Sequence, residues 1–163
     1  MKEHANHNAS QGEANKAHPM YGRLAIMLAA SFIAMYFLMY AMVDSLKDVL
    51  PGVNQGYMAA IMTGPMGLLE LGLMSKMYPD KSKNLLFAVI SLLLLVVGWW
   101  GMRSQALIGD TEFLKSMIPH HSGALLMCKN AKLESQETKD LCRQIIDAQI
   151  AEIKTMRALL EKQ

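Results

Sequence analysis

Three long apolar stretches, followed by two amphipathic ones, divide the chain. Leu24 to Val43 holds about twenty residues without a charge, which is enough to cross a bilayer as a helix. Tyr57 to Met74 is a second stretch, and it carries Glu70. Leu85 to Met102 is the third and most apolar, and it ends in the Trp99-Trp100 pair, a residue type common at membrane interfaces. The pattern predicts three transmembrane helices.

The segment before the first apolar stretch is polar and shows no helical or strand period. Residues 1–22 therefore predict a disordered tail, and the three-helix region is expected to occupy residues 23–103. The tail contains His4, His7 and His18, which could trap a metal, although scattered histidines in a flexible tail are more often inert.

The distribution of Lys and Arg near the ends of the apolar stretches predicts the orientation. Six of these residues fall on the side of the N-terminal tail and the second loop, and two fall on the opposite side, so the positive-inside rule puts the N-terminus in the cytoplasm. We expect a protein of the bacterial inner membrane, with everything after the third helix in the periplasm or outside the cell. The two groups are Lys2, Lys16, Arg23, Lys76, Lys81 and Lys83 against Lys47 and Arg103.

Beyond Gly109 the chain changes to an amphipathic pattern, which predicts a helical hairpin over residues 109–163. Asp110 is expected to cap the first helix and Ser135 the second. The inward face of the first helix is predicted to hold Phe113, Leu114, Met117, His121, Ala124 and Cys128. On the second helix the expected inward residues are Leu141, Cys142, Ile145, Gln149, Glu152, Ile153, Met156 and Leu160, and the outward ones Lys139, Arg143, Asp147, Lys154 and Arg157.

Residues equally distant from the connection at Ser135 should lie at the same height of the hairpin. Cys128 and Cys142 are each seven residues away, so they should face one another. A disulfide is the expectation in an oxidising compartment, and thiolate ligation of a metal is the alternative. The same register sets His121 level with Gln149. Such a small hairpin buries little surface, and we expect a homodimer or higher oligomer that completes a four-helix bundle.

The most informative short motif is Met117-Ile118-Pro119-His120-His121. Met117 and His121 are four residues apart and share a helix face, whereas His120 points about 100° away from His121. Thioether sulfur beside imidazole nitrogen is a ligand set that favours Cu(I) or Ag(I) over hard cations. The spacing is equally compatible with one buried and one exposed histidine that bind nothing.

Composition narrows the class of protein. Of 163 residues, 52% are hydrophobic and 18% charged, which is too apolar for an ordinary soluble domain. The net charge of +2, without a dense basic patch, argues against a nucleic-acid partner. Methionine is unusually frequent, with 15 copies.

Glu70 is the one acidic side chain inside a predicted membrane helix, where an ionisable group is costly and a functional candidate. It belongs to a series of four-residue steps that could pass Cu(I) along the helix. Alternatively, the methionines are ordinary packing residues and Glu70 pairs with a polar group such as Tyr36 or Tyr40. The series is Met58, Met62, Met66, Glu70 and Met74.

The ordered pattern from Asp110 through Phe113, Met117, His120-His121 and Ala124 to Met127 resembles the family known as the domain of unknown function 305. The segment Ile145, Gln149, Glu152, Met156 resembles its continuation. The family is similar to ferritin-like four-helix bundles, and some members are periplasmic copper- or silver-binding proteins. The resemblance covers the C-terminal third only. It implies metal ligands at Met117, His120, His121, Met127 and Met156, with Asp110, Gln149 and Glu152 in supporting positions.

The sequence therefore predicts an all-α protein, three transmembrane helices followed by half of a ferritin-like bundle. We expect it to bind Cu(I) or Ag(I) outside the cytoplasm and to sequester the metal or pass it to an efflux or chaperone partner. One alternative is a transporter component that uses Glu70, Met66 and Met62; another is a dimerisation module without metal. We expect no enzymatic activity, since a cuprous oxidase has no dedicated sequence signal.

Overall fold

A computed structural model describes the backbone of residues 3–163 and the side chains of residues 20–163. The prediction of an all-α protein is confirmed for this part of the chain, which contains five α-helices and no strand. The helices are α1 (Glu3–Leu38), α2 (Val53–Leu73), α3 (Lys81–Ser104), α4 (Asp110–Asn130) and α5 (Gln136–Leu160). Short 3-10 turns lie at Met39–Met42, Leu46–Asp48 and Ser75–Met77.

Two segments in the described part are long and apolar enough to cross a membrane, Met20–Met42 and Lys81–Ser104. Core helices of soluble proteins and signal sequences share these properties, so length and composition alone do not separate them. The predicted second span corresponds to α2, which has 21 residues and is long enough to cross a membrane, but its mean hydropathy is too low for it to count among these segments. Its polar start, its glycines, Pro65 and Glu70 lower its mean hydropathy.

The contacts divide the chain into two compact units. The first, which we call the membrane-helix unit, contains residues 1–35 and 58–100. The second, the hairpin unit, contains residues 36–57 and 101–163. Each is described separately below.

Close backbone packing joins α2 to α3 in the membrane-helix unit. A Cβ atom on Gly64 would lie 2.6 Å from the Ser91 carbonyl oxygen and 2.9 Å from the Leu95 amide nitrogen. One on Gly67 would lie 2.2 Å from the Ser91 hydroxyl. Small residues at such positions let helix backbones approach closely, as in many membrane helix pairs.

A buried cluster of Tyr21, Leu24, Leu28 and Tyr78 forms a second contact region of this unit. The Tyr21 hydroxyl accepts a hydrogen bond from the Asp80 amide at 3.0 Å and contacts the Asn84 side chain at 2.7 Å. The sequence placed Tyr21 in the polar tail, but it is a buried residue of α1 because its ring packs while its hydroxyl reaches polar groups. From residue 3 onward the backbone of the predicted disordered tail belongs to α1, so a helix stands where the sequence led us to expect disorder. The side chains of residues 1–19 lie outside the described residues.

The hairpin unit is built on α4 and α5, whose shared core holds Leu114, Ile118, Leu125, Ile153 and Met156. Gly109, and not Asp110 as predicted, precedes α4 as its N-cap, and Asp110 is the first helical residue. Ser135 caps α5 as predicted, since its hydroxyl accepts from the Thr138 amide at 3.2 Å. Pro119 lies inside α4, which continues through it.

The inward face of the hairpin differs in part from the predicted one. Phe113 and Leu141 are about half exposed, at 49% and 54%, whereas Ile118 and Ser122 are completely buried. Ser122 is polar, so the sequence pattern did not select it. Its burial is explained by a partner from another part of the chain.

That partner is Asp48, in the connection between α1 and α2. Ser122 donates a hydrogen bond to Asp48 Oδ2 at 2.5 Å and accepts one from the Asp44 amide at 2.8 Å. Arg157, predicted to face solvent, donates to Asp48 Oδ1 at 2.6 Å and to the Lys47 carbonyl at 2.7 Å. The connection therefore packs on the hairpin, and Leu50 adds an apolar contact to the same core.

Candidate metal centre

His121 is the half-buried histidine of α4, with 14% of its side chain exposed. Its Nδ1 lies 3.0 Å from Glu152 Oε2, close enough for an ion pair when the imidazole is protonated. The direction of approach does not suit a hydrogen bond, and Nδ1 has no hydrogen-bond partner among the described residues. A buried polar atom in this state is rare in native proteins and needs an explanation.

Gln149 lies one turn before Glu152 on α5, and it presents a second orphaned atom. Its Oε1 is buried and has no hydrogen-bond partner in the described part of the chain. The register predicted Gln149 level with His121, whereas the observed close contact is with Glu152. Gln149 and Glu152 both belong to the predicted supporting set. Nδ1 of His121 and Oε1 of Gln149 are the two buried polar side-chain atoms of the hairpin that have no hydrogen-bond partner among the described residues.

Met117 and Met156 are the inward thioethers. Met156 belongs to the buried core of the hairpin, and Met117 packs against that core from α4. Met117 precedes His121 by one turn, and Met156 follows Glu152 by one turn, so each helix carries one thioether and one polar candidate on neighbouring turns. The structure thus brings Met117, Met156, His121 and Glu152 to the facing sides of α4 and α5.

The other predicted ligands lie elsewhere. His120 is exposed, and Met127 is exposed at 61%. They share the outward side of α4 but are seven residues apart, about 10 Å along the axis, which is too far for one metal to bridge them. Asp110 is exposed at the start of α4, about 16 Å along the axis from His121, so it is not a supporting residue for that histidine within one chain.

The two cysteines are joined in a disulfide between Cys128 and Cys142, the pairing that the register predicts. Their Cα atoms are 5.3 Å apart. Thiolate ligation, the alternative reading, does not apply to sulfurs in a disulfide. In residues 20–163 no group of three or more His, Cys, Asp and Glu side chains is close enough to hold a metal.

Glu112, in the first turn of α4, links the hairpin to the connection a second time. Its carboxylate pairs with Lys115 at 2.9 Å and accepts from the Val53 amide at 2.8 Å. The Lys115 contact first, and then the Val53 hydrogen bond, hold the pKa of Glu112 below its ordinary value of 4.5. Glu112 is thus a charged tether between α4 and the start of α2, and its favourable place at a helix N-terminus was its only indication in the sequence.

Glu70, the candidate in the second apolar stretch, has a partner that the sequence analysis missed. The Tyr78 hydroxyl donates to Glu70 Oε1 at 3.1 Å. The suggested partners Tyr36 and Tyr40 instead donate to the carbonyls of Gly52 and Leu50, at 3.3 and 2.9 Å. Those two residues lie in the connection beside the aromatic rings, so the tyrosines are used locally.

The methionines of the predicted series separate in the structure. Met62 and Met66 are exposed at 43% and 36%. Glu70 and Met74 instead line a cavity that Met62 and Met66 do not reach. The series advances about 40° around α2 at each four-residue step, so its two ends have different surroundings. Its role in passing Cu(I) stays a prediction.

Comparisons with known proteins agree with the residue pattern of the hairpin. The family model for the domain of unknown function 305 (DUF305) matches residues 104–162. An uncharacterized protein of Acanthamoeba polyphaga mimivirus is 31% identical over 142 residues, 85% of this chain and 91% of that protein. This similarity is much longer than the family segment and extends into the preceding helices. No solved structure matches the chain. The chain belongs to the DUF305 family.

Proposed function

We propose that this protein is a membrane-anchored, extracytoplasmic binding protein for Cu(I) or Ag(I), which sequesters the metal or hands it on in metal tolerance. The observation that carries the proposal is the orphaned Nδ1 of His121, buried beside Glu152 between two helices that each bring a thioether. An unpaired buried nitrogen costs free energy that a bound cation would recover.

The donor set supports a soft monovalent cation. One imidazole nitrogen and the sulfurs of Met117 and Met156 would hold the metal, and thioethers bind Cu(I) and Ag(I) far better than Mg²⁺ or Ca²⁺. Methionine side chains are flexible enough to turn toward a ligand without moving the helix. Glu152, whose carboxylate lies beside the same Nδ1, would balance the charge of the cation.

The disulfide supports the compartment, since such bonds persist in oxidising environments outside the cytoplasm. The Lys and Arg distribution points to the same side for the hairpin. For the anchor, α1 and α3 have the length and composition of spans. We propose α2 as a third span because its Leu69 and Leu73 are 61% and 82% exposed, as lipid-facing residues would be.

We further propose that two copies combine their hairpins into a ferritin-like four-helix bundle. Leu141 and Ile150 of α5 leave apolar surface exposed, at 54% and 52%. His120 and Met127 face outward, where a second hairpin could complete a site with them.

The proposal is tested by Ag(I) titration of the detergent-solubilised full chain, followed by mass spectrometry of intact complexes. The combined Met117→Leu and His121→Ala variant should lose one bound equivalent. The matched control, His120→Ala with Met127→Leu, removes the same side-chain types from the outward face and should keep that equivalent in the monomer. Equal Ag(I) binding by the inward variant and the unaltered chain would refute the hairpin site.

The role of Glu152 has a separate test. Because Glu152 would supply the negative charge beside the bound cation, Glu152→Gln should weaken Ag(I) binding by about tenfold. Circular dichroism of the same sample checks that the hairpin remains folded. An unchanged affinity would show that Glu152 does not contribute to Ag(I) binding.

A further inference from the structure

A cavity of about 390 Å³ lies in the membrane-helix unit, apart from the residues of the DUF305 segment. Four methionines contribute to its walls, together with one carboxylate and one buried tyrosine. They come from α1, from the end of α2 and from the turn that follows it. The residues are Met20, Met27, Glu70, Met74, Met77 and Tyr78.

This wall is chemically unusual. About one residue in eleven of the chain is a methionine, yet four of them meet around this single space beside a carboxylate. Methionine also fills irregular gaps in ordinary cores, but four of them around one open space leave their sulfur atoms available to a ligand. A site for a hard cation would need several oxygen ligands. One carboxylate with several thioethers matches the preference of Cu(I) and Ag(I).

We propose that this cavity is a second soft-metal site, in which Met27, Met74 and Met77 supply thioethers and Glu70 balances the charge of a monovalent cation. It does not depend on the hairpin site proposed above. Met20 is an additional thioether at the α1 side of the cavity.

The back wall of the cavity is fixed by contacts. Tyr78 is 6% exposed, packs against the Tyr21 ring at a centroid distance of 5.3 Å and donates to Glu70 Oε1 at 3.1 Å. Burial first, and then the hydrogen bond to Glu70, raise the pKa of the Tyr78 hydroxyl, so it remains a neutral donor. The carboxylate is therefore held in one orientation, and Oε2 is the oxygen that Tyr78 does not use.

The front of the cavity is accessible. Met74 and Met77 are 42% and 43% exposed, so an ion could reach their sulfur atoms. Arg23 also lines the cavity, and its positive charge offsets part of the Glu70 charge. The thioethers therefore have to supply most of the affinity, and they favour a soft monovalent ion.

The test uses the full chain in detergent and two sets of variants combined in all four ways. The hairpin set is Met117→Leu with His121→Ala. The cavity set is Met27→Leu, Met74→Leu and Met77→Leu, which conserves volume and is usually tolerated. Ag(I) equivalents are counted by intact-complex mass spectrometry, and X-ray absorption at the silver edge reports the sulfur neighbours.

We expect the hairpin-altered chain to keep one Ag(I) with sulfur neighbours, and the chain with both sets altered to lose it. The matched control in the hairpin-altered background is Met58→Leu, Met62→Leu and Met66→Leu, which removes three thioethers from α2 outside the cavity and should keep the ion. If the cavity set folds poorly, Glu70→Gln serves instead, with an expected loss of affinity of about tenfold.

Several outcomes would overturn the cavity site. They are an Ag(I) stoichiometry unaffected by both the cavity set and Glu70→Gln, an equal loss in the control set, or retention of co-purified lipid in place of Ag(I). Loss of the hairpin equivalent alone would leave the cavity site standing. A hairpin set without effect would refute the function proposed above and leave this one untouched.

Discussion

The internal packing of the membrane-helix unit differs from that of the hairpin unit. In the former, α2 meets α3 through glycines that allow backbone contact, and large side chains such as Leu73 and Leu85 are 82% and 65% exposed. In the latter, a disulfide, a capped helix and a buried carboxylate hold an amphipathic hairpin. Such a difference is expected if the first unit lies in lipid, as proposed above, because burial of apolar surface drives assembly in water but not between helices in lipid.

Removal of the disulfide is expected to separate the stabilities of the two units most clearly. Closing a loop of about fifteen residues stabilises a fold by about 3 kcal/mol, so Cys128→Ala with Cys142→Ala should lower the stability of the hairpin unit by that amount. Hydrogen-exchange mass spectrometry should show lost protection in α4 and α5. Fluorescence of Trp99 and Trp100, the two tryptophans of the chain, should report unchanged unfolding of the membrane-helix unit. A parallel shift of both signals would contradict the independence of the units.

Asp48 is the next strongest test of the hairpin unit. Asp48→Ala removes the shared partner of Ser122 and Arg157, and we expect a loss of about 2 kcal/mol, reduced from the value for a fully buried pair because Arg157 is partly exposed. The matched control is Asp44→Ala, which removes an exposed ion pair with Lys129 and should cost less than about 1 kcal/mol. Chemical unfolding followed by circular dichroism measures both. Equal losses would show that the buried carboxylate is no stronger a tether than the exposed one.

The corresponding test of the membrane-helix unit is Gly64→Ala. The added methyl would collide with the backbone of Ser91 and Leu95, and overpacking of this kind costs about 1–3 kcal/mol. Gly72→Ala changes the same helix where nothing lies within 4 Å of the new atom, and it controls for helix propensity. Tryptophan fluorescence during unfolding in denaturing detergent should fall early for the first variant only. Identical curves would argue against close packing of α2 on α3.

The smallest expected effect is a pH dependence confined to the hairpin unit. Because the folded pKa of Glu112 is depressed, its contribution is present above the ordinary value of 4.5 and is lost as the pH falls through the lower folded value. On acidification below pH 4.5, the free energy of unfolding should fall further for the unaltered chain than for Glu112→Gln. The difference should be less than about 1 kcal/mol. Hydrogen exchange in α4 between pH 3 and 6 would detect it. Parallel pH profiles for the unaltered chain and Glu112→Gln would show that the Glu112 carboxylate does not stabilise the hairpin unit.

The local sequence pattern was sufficient to predict much of the hairpin. The 3.6-residue period identified α4 and α5, Ser135 marked the start of α5, and equal spacing from Ser135 paired Cys128 with Cys142. These features depend on residues close in sequence, where helix geometry leaves few choices. Gly109 replaced Asp110 as the cap of α4 because both residues suit the position and only the backbone distinguishes them.

A local pattern could not predict contacts between residues that are distant in sequence. Ser122 was set aside as polar, although Asp48, 74 residues earlier, makes it an inward residue. The same holds for the cavity, since Met27, Met74 and Met77 come from different segments and show no common period. Among the candidate ligands, the helical period did place His121 on the inward face and His120 about 100° away, as the structure has them.

The packing of residues 36–57 on the hairpin has a consequence for how the protein is made. This segment is synthesised before residues 58–100, whereas its partners Ser122 and Arg157 are synthesised after them. At about 5–20 residues per second, Asp48 waits at least several seconds for its partners. Throughout that interval its carboxylate is hydrated, and the loss of that hydration coincides with closure of the hairpin. Completion of the hairpin unit is thus a late event of biogenesis, set by the end of the chain.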